Sequence, residues 1–365
     1  MATSNQTHAP TQTLQLSWPA LGLRPGYLAG LLLLLVLAFL ASLALGSVKI
    51  PLGDIVQILT GAEPANRAWT TIVMQFRLPK AATATLAGAA LALSGLQMQT
   101  VFRNPLAGPF VLGISSGASL GVALVVLATG TAVTGLLAAL GFYGNIGIGV
   151  AASLGSGLVL FLVMLVSGRV NNMSLLILGL LFGYATSAVV TILLFFTIAE
   201  RIQAYIAWTF GSFAGVTWSQ LQVLGPAILA ALLIAWIAAK PLNALLLGET
   251  YARSLGLNIR RTRFWILVSA SLLAGTVTAF CGPIGFLGIA VPHLARSLFG
   301  TSDHRTLVPA VVLLGAITAL LADIVAQLPG SQTILPLNAV TALLGAPVVG
   351  WMILRRRNLQ AAFGS

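Results

Sequence analysis

Residues 104–168 read NPLAGPFVLGISSGASLGVALVVLATGTAVTGLLAALGFYGNIGIGVAASLGSGLVLFLVMLVSG and contain no Asp, Glu, Lys or Arg. As one helix this stretch would extend roughly 98 Å, about three times the hydrocarbon core of a bilayer. We therefore expect two membrane spans here, joined by a glycine-rich turn near Gly130 or Gly141–Gly144. Such a hairpin leaves Arg103 and Arg169, the charges that bound the stretch, on the same side of the membrane.

The rest of the chain has the same character. Of its 365 residues, 58% are hydrophobic and only 7% are charged, which indicates a polytopic membrane protein. The 38 glycines suit closely packed transmembrane helices. The net charge of +12 does not indicate nucleic-acid binding, because the basic residues sit at the ends of apolar runs. The single cysteine, Cys281, excludes an internal disulfide.

The gaps between charges predict an all-α, polytopic integral membrane protein with about ten transmembrane helices. The first apolar run, Tyr27–Gly46, resembles a signal peptide in its small residues Ala41 and Ala44, but its length favours an uncleaved span. The predicted spans are 27–46, 82–101, 110–129, 146–167, 174–198, 221–239, 264–281, 284–299, 307–327 and 337–354. The region 264–295 is uncharged and broken at Gly282-Pro283, so one long bent helix remains an alternative to two short spans.

Basic residues predict the orientation. With the N-terminus inside, thirteen of the eighteen Lys and Arg residues fall in inner loops, which is the bias expected of cytoplasmic loops. We expect a cytoplasmic N-terminal tail (1–26), a transmembrane permease domain (27–357) and a C-terminal tail (358–365), with both termini cytoplasmic. Within the domain, a cytoplasmic coupling segment covers 240–263.

A weak internal repeat supports a transport role. Residues 87–95 (AGAALALSG) resemble residues 274–282 (AGTVTAFCG), and both copies are followed by Gly-Pro and then Leu-Gly-Ile. The copies lie five spans apart, in the second and the seventh predicted span, so they would run in opposite directions. Inverted repeats interrupted by Gly and Pro are typical of transporters.

Catalytic motifs are few. Gly113-Ile114-Ser115-Ser116-Gly117 matches the G-x-S-x-G elbow of hydrolases, but Gly113, Gly117 and Gly121 equally form a ridge for helix packing. His293 stands without a nearby carboxylate, which favours a hydrogen-bonded structural role. Asp323, the one acid that looks buried, is either functional or a structural partner. The chain has no phosphate-binding loop, so we expect it to be no enzyme and to depend on a partner for energy. A standalone secondary transporter and an intramembrane hydrolase using Ser115 remain alternatives.

The coupling segment reads KPLNALLLGETYARSLGLNIRRTR from Lys240 to Arg263. Its pattern predicts an amphipathic helix over Leu242–Leu255, stopped by Gly256, with Leu245, Leu246 and Leu247 as its apolar face. Glu249 and Arg253 are spaced to pair on its surface. The helix would dock a partner, or lie on anionic lipid. At the opposite side, Arg77 and Lys80 form a basic rim for an acidic external partner, or anchor the span by snorkelling.

Ordered motifs from Pro51 to Arg357 resemble one family, the FecCD/BtuC-like transmembrane permeases of type II ABC importers for iron–siderophore complexes, haem and vitamin B12. The motifs are Arg77-Leu78-Pro79-Lys80, Arg103-Asn104-Pro105-Leu106-Ala107, Leu112–Ala118, Leu247-Gly248-Glu249, Gly285-Phe286-Leu287-Gly288, Val291-Pro292-His293, Leu321-Ala322-Asp323 and Leu344-Gly345-Ala346-Pro347.

The resemblance implies a homodimer in the bacterial inner (plasma) membrane, with two ATP-binding cassette subunits below and a periplasmic or lipid-anchored substrate-binding protein above. The remaining implied partner is membrane lipid. The resemblance implies no binding of nucleic acid. ATP and Mg would bind the partner subunits, and this chain would hold no cofactor or metal. The cargo would be an iron chelate, with iron–siderophore ranked first; a haem or a cobalamin importer of the same family is the alternative, in that order. Transport would proceed by alternating access.

The resemblance also implies three groups of site residues. Gln327 stands where the family often has a basic residue, and Lys80 where arginine is common. The implied ATPase-docking residues are Leu245, Leu247, Gly248, Glu249, Ala252, Arg253, Leu255 and Gly256. The implied binding-protein-docking residues are Arg77, Lys80 and Gln327, and the implied cytoplasmic gate consists of Asn104, Leu106, Asn172 and Met173.

Overall fold

The computed structural model describes residues 25–127, 144–167, 169–331 and 333–355. Two predicted features lie outside these ranges. One is the turn near Gly130, together with most of the alternative turn at Gly141–Gly144, and the other is the pair of tails, residues 1–24 and 356–365. Every regular element in the described ranges is helical, which confirms the all-α prediction. The helices are α1 Pro25–Ala44, α2 Leu52–Thr60, α3 Arg67–Val101, α4 Ile114–Val126, α5 Gly144–Ser167, α6 Asn172–Phe195, α7 Ala199–Thr209, α8 Trp218–Ile237, α9 Ala239–Leu246, α10 Glu249–Ser254, α11 Ile259–Cys281, α12 Leu287–Phe299, α13 His304–Ala326 and α14 Leu337–Arg355.

Seven of these helices are long and apolar enough to cross a membrane: α1, α3, α5, α6, α8, α11 and α13. Three shorter apolar helices, α4, α12 and α14, occupy the remaining predicted spans. Between α11 and α12 the chain breaks at Gly282, whose φ of 76° ends the helix, so the region forms two elements and not one long bent helix. The ten predicted spans thus correspond to ten apolar helices of the described chain.

Helix α3 begins earlier than the predicted residue 82. It starts at Arg67 and passes through a π-helical turn, Ile72–Arg77, before the regular α-helix resumes at Leu78. The wider turn lies just before Pro79, which has no N–H to donate and whose ring crowds the preceding turn. The sequence pattern missed this extension because charged and polar residues interrupt its apolar run.

Helix α3 also forms the centre of the bundle. It is buried along most of its length, and glycines let neighbouring backbones approach it closely. A Cβ at Gly88 would overlap the Gly315 carbonyl of α13, and one at Gly95 would overlap the Gly288 carbonyl of α12. The main hydrophobic core therefore gathers around α3.

The glycine ridge of α4 is confirmed as a packing surface. Gly117 faces the Gly155 carbonyl of α5, and Gly113 faces the Gly179 carbonyl of α6. Gly121 meets the backbone of Ala151 in the same way. Ser115, the nucleophile of the elbow alternative, lies in the first turn of α4 after a short 3₁₀ turn and not after a strand.

The two copies of the internal repeat lie on α3 and α11, which pack together. Ser94 Oγ donates to the Ala270 carbonyl at 2.7 Å, and Gln97 Nε2 donates to Ser269 Oγ at 3.1 Å. Advancing along α3 therefore means going back along α11. The two helices run antiparallel, as an inverted repeat requires.

Substituting Gly95 with alanine should destabilise the permease by roughly 1–3 kcal/mol, because the new methyl group meets a backbone carbonyl that cannot rotate away. Thermal unfolding of the purified protein in detergent measures the effect. Gly157→Ala is the matched control, since a Cβ there meets no atom within 4 Å. Equal unfolding midpoints for the two variants would contradict the close crossing of α3 and α12.

Candidate functional site

Four polar residues, which we call the Asp323 cluster, meet where α13 ends: Arg77, Lys80, Asp323 and Gln327. Lys80 Nζ lies 3.2 Å from Asp323 Oδ2, and both side chains are less than a tenth exposed. Gln327 Nε2 donates to the same Asp323 oxygen at 2.7 Å. Two of the three candidate docking residues, Lys80 and Gln327, are therefore engaged by one buried carboxylate of the chain itself.

Arg77 is buried beside this pair. Its guanidinium donates to the Leu43 carbonyl at 2.6 Å, to the Ala44 carbonyl at 3.1 Å and to the Val48 carbonyl. These groups belong to the end of α1 and the loop after it, where helical carbonyls lack partners. Arg77 thus closes the C-terminus of α1. Arg77 and Lys80 are both buried, so they do not form a basic rim at the surface, and their docking role stays a prediction.

A cleft of about 720 Å³ opens above the Asp323 cluster. Its wall brings together Arg77, Lys80 and Gln327, the three residues that the sequence motifs grouped for partner docking. The loop after α1, the loop after α7 and the start of α14 complete the cleft. The three residues therefore share one surface depression, although they do not project from it.

At the other end of α3, a second set of contacts, which we call the Glu249 node, joins three parts of the chain. Glu249 Oε1 accepts from Arg263 Nη2 at 2.5 Å and from Asn172 Nδ2 at 3.3 Å. Asn172 Nδ2 also donates to the Val101 carbonyl at 2.7 Å. The coupling segment, the first turn of α6 and the last turn of α3 are thereby linked through one carboxylate and one amide.

The coupling segment differs from its predicted form. The continuous helix over Leu242–Leu255 is wrong: α9 ends at Leu246, and α10 starts at Glu249 after Gly248, whose φ of 105° no helix accommodates. Gly256 does follow the end of α10, as predicted, with a φ of 82°. The predicted Glu249–Arg253 pair is also wrong, because Glu249 pairs with Arg263 instead.

Burial divides the predicted ATPase-docking residues into two sets. Leu245, Gly248 and Ala252 face inward and hold α9 and α10 on the bundle. Leu247 and Leu255 are 64% and 60% exposed, and Arg253 is also exposed. Leu247 and Leu255 flank α10 on either side and Arg253 lies in its last turn, so this part of the chain exposes two leucines and one cation.

The predicted gate residues lie on the loop after α3 and in the first turn of α6. Asn104 Oδ1 accepts from the Leu106 backbone N–H at 2.9 Å, which fixes the turn after α3. Leu106 is 48% exposed, and Met173, next to Asn172 in the first turn of α6, is 67% exposed. The hydrogen bond from Asn172 to the Val101 carbonyl holds the end of α3 and the start of α6 together. The apolar side chains of Leu106 and Met173 remain exposed.

Comparison with known proteins agrees with this architecture. Residues 34–355 match the model of the FecCD transport family. The chain belongs to the FecCD transport family. It is 38% identical over 91% of its length to the vitamin B12 import system permease protein BtuC of Klebsiella pneumoniae subsp. pneumoniae, covering 94% of that protein. It is 37% identical to the protein of the same name from Citrobacter koseri, with the same coverage of both chains.

A solved structure is also similar. It is described as an inward-facing conformation of a transporter assigned to the metal-chelate type of ABC transporters. The TM-score is 0.78 at 31% identity, over 91% of this chain and 99% of the other. The resemblance inferred from the motifs is confirmed: the chain is a FecCD-family permease of the ABC-importer class.

Two residues of this FecCD-family permease escaped the sequence analysis as site residues. Arg263 lies fourteen positions from Glu249, beyond the reach of any local spacing rule. His293, expected to be a hydrogen-bonded structural residue, places its Nε2 2.8 Å from the Pro105 carbonyl and so anchors the gate loop to α12. The family motif Val291-Pro292-His293, which includes this histidine, was the one signal in the sequence for its role.

Proposed function

We propose that this chain is the transmembrane permease subunit of an ATP-driven importer that moves a metal chelate from the periplasm to the cytoplasm. The observation that carries the proposal is the Glu249 node. It connects the exposed coupling segment to Asn172 and Val101, the residues that hold the two predicted gate loops. A displacement of the coupling segment would therefore reach the gate directly, through the hydrogen bonds of Glu249 and Asn172.

The coupling step starts at the exposed leucines. ATP-binding subunits would receive Leu247 and Leu255 in surface grooves, and ATP and Mg²⁺ would bind those subunits and not this chain. When the subunits close, α9 and α10 move with them. Glu249 then carries the movement to α6 through Asn172, which opens one gate as the other shuts. The positive-inside bias supports a cytoplasmic position for this segment and for both termini.

The exposed faces of α6 and α14 support a homodimer. Tyr184 and Phe195 of α6 are exposed, as are Leu343 and Trp351 of α14. Two copies facing each other would enclose a wide apolar pathway with few polar groups to bind cargo. Specificity would then belong to a periplasmic or lipid-anchored binding protein, docked over the Asp323 cluster.

The cargo is assigned by class. An apolar pathway suits a large chelate, in which the metal is wrapped by its ligand. The resemblance to the family, and no residue of the chain, ranks iron–siderophore first, haem second and cobalamin third. The names of the 37–38% identical relatives move vitamin B12 to the first compound to be tested. In this proposal the metal and its chelating ligand are the transported substrate and not a cofactor of the permease.

Vesicles containing the permease, its ATP-binding subunits and the binding protein test the function. We expect uptake of labelled vitamin B12 or an iron–siderophore to require internal ATP, with Ser115→Ala retaining it. Uptake driven by a proton or sodium gradient without ATP would establish the standalone carrier instead. Loss of activity in Ser115→Ala with intact folding would favour the hydrolase alternative.

Replacing Leu247 and Leu255 with serine should reduce recovery of the ATP-binding subunit at least tenfold, because each exposed leucine contributes on the order of 1 kcal/mol in a partner's groove. Affinity capture from detergent, at matched permease levels, measures recovery. Leu52→Ser/Leu59→Ser on α2 is the control, since those leucines are also exposed but lie at the other end. Unchanged recovery in both pairs would remove the docking role of α10.

A further inference from the structure

A basic cleft of about 570 Å³ lies between the last turn of α5 and the first turn of α11. Four arginines line it: Arg253, Arg260, Arg261 and Arg263. Glu249 is the one acid among the lining residues. Met164, Ile259 and Phe264 supply apolar surface beside the charges. The cleft therefore combines a cationic floor with an apolar wall.

The positive charge of this cleft is not neutralised by the chain. Glu249 pairs with Arg263, whose side chain is only 14% exposed. Arg253, Arg260 and Arg261 are exposed and form no ion pair within the described residues. All six Asp and Glu residues of the sequence are described, so the outlying segments supply no further acid. Three uncompensated guanidinium groups indicate an anionic ligand with several acceptor oxygens.

The position of the cleft indicates where that ligand comes from. Its residues sit where two membrane spans, α5 and α11, end at the same face. Phe264 and Trp265 are exposed and stacked edge to face, the arrangement of an aromatic belt at headgroup level. Further into the membrane, Phe161 and Leu165 leave an apolar surface on α5 uncovered. A lipid whose headgroup reached the arginines would lay its acyl chains along this surface.

We propose that this cleft binds the phosphodiester headgroup of an anionic phospholipid. Arg260 and Arg261 hold the phosphate oxygens, and Arg253, which also lines the cleft, stays in the predicted ATPase-docking set. Arg263 touches both the cleft and Glu249, so the lipid lies beside the node that links the coupling segment to α6. The lipid site does not depend on how transport is driven, because it follows from the charge of the arginines and their position at the ends of α5 and α11.

Native mass spectrometry of the full permease in detergent tests the site with three probes: phosphatidylglycerol, phosphatidylcholine and inorganic phosphate. We expect phosphatidylglycerol to be retained in preference to phosphatidylcholine. Arg260→Gln/Arg261→Gln should weaken its binding roughly thirtyfold, because each basic residue near a membrane surface adds about one factor of five in affinity. Arg260→Lys/Arg261→Lys should retain most of it, since the charge is kept.

Lys240→Gln/Arg305→Gln is the matched control, because both residues are exposed and basic but do not line the cleft. Its phosphatidylglycerol affinity should equal that of the wild type. Equal retention of the two lipids, or equal losses in both glutamine pairs, would overturn the proposal. Binding of inorganic phosphate without lipid preference would reassign the cleft to a free anion. Protection of the arginines by the ATP-binding subunit alone, with no lipid effect, would assign it to that partner.

Discussion

Replacing Asp323 with alanine should destabilise the permease by about 3–5 kcal/mol, because it leaves the Lys80 ammonium in the bundle without its counter-charge. Gln327 loses its hydrogen-bond acceptor at the same time. The measurement is the unfolding midpoint of the purified protein in detergent, which should fall by several degrees. Lys80→Ala should have a similar effect, since it isolates the Asp323 carboxylate.

The double variant Lys80→Met/Asp323→Leu should recover most of the loss, because neither member of the pair then leaves its partner's charge buried alone, and Arg77 keeps its carbonyl acceptors. Glu63→Ala is the control for a pair that water screens: Glu63 and Arg67 are mostly exposed, and little change is expected. Similar midpoints for Asp323→Ala and Glu63→Ala would contradict the buried pair. The stable double variant also separates folding from docking, because it keeps the cleft but removes two of its polar groups.

Glu249→Ala should reduce ATP-driven uptake about tenfold to a hundredfold while the complex with the ATP-binding subunit still forms. The charge-assisted contact of Glu249 with Arg263 is worth about 1.5–3 kcal/mol, and its loss disconnects α10 from α6. The exposed leucines that we propose as the contact with that subunit, Leu247 and Leu255, remain in place. Uptake into vesicles and ATP hydrolysis, measured on the same preparation, should therefore diverge, with hydrolysis retained.

Charge exchange identifies the partner of Glu249. Glu249→Arg/Arg263→Glu should restore part of the uptake, because the ion pair re-forms in reverse while the Asn172 contact is lost. Glu249→Arg/Arg253→Glu should restore none, since Arg253 does not contact Glu249 in the structure. Recovery by the Arg253 exchange alone would return the pairing to the local spacing that the sequence suggested.

Local patterns predicted much of this fold. The uncharged stretches located ten apolar helices, and most of the helix ends lie within a few residues of the predicted ones. The reason is that the bilayer thickness sets the length of a span and that a charge inside the membrane is costly. The ridge of Gly113, Gly117 and Gly121 was also legible, since close helix packing requires small residues at that spacing. The motifs of the FecCD family supplied the candidate docking and gate residues, whose roles stay predictions.

The pairings between distant elements were not predictable in this way. Lys80 and Asp323 lie on α3 and α13, and their partnership depends on how those helices cross at Gly88 and Gly315. Glu249 has a correctly spaced local partner in Arg253, yet tertiary packing brings Arg263 closer. The break at Gly248 likewise requires a backbone angle that amphipathic spacing does not report.

The glycine crossings of α3 also restrict how the permease can move. Where backbone lies on backbone, as at Gly88 with Gly315 and Gly95 with Gly288, two helices can neither slide nor rotate without collision. Helices α3, α12 and α13 should then stay together as one rigid unit during transport. The moving part should be α6, about a fifth of which is buried against more than four-fifths for α3. Spin labels on α3 and α13 should keep one separation through the cycle, and labels pairing α3 with α6 should show two.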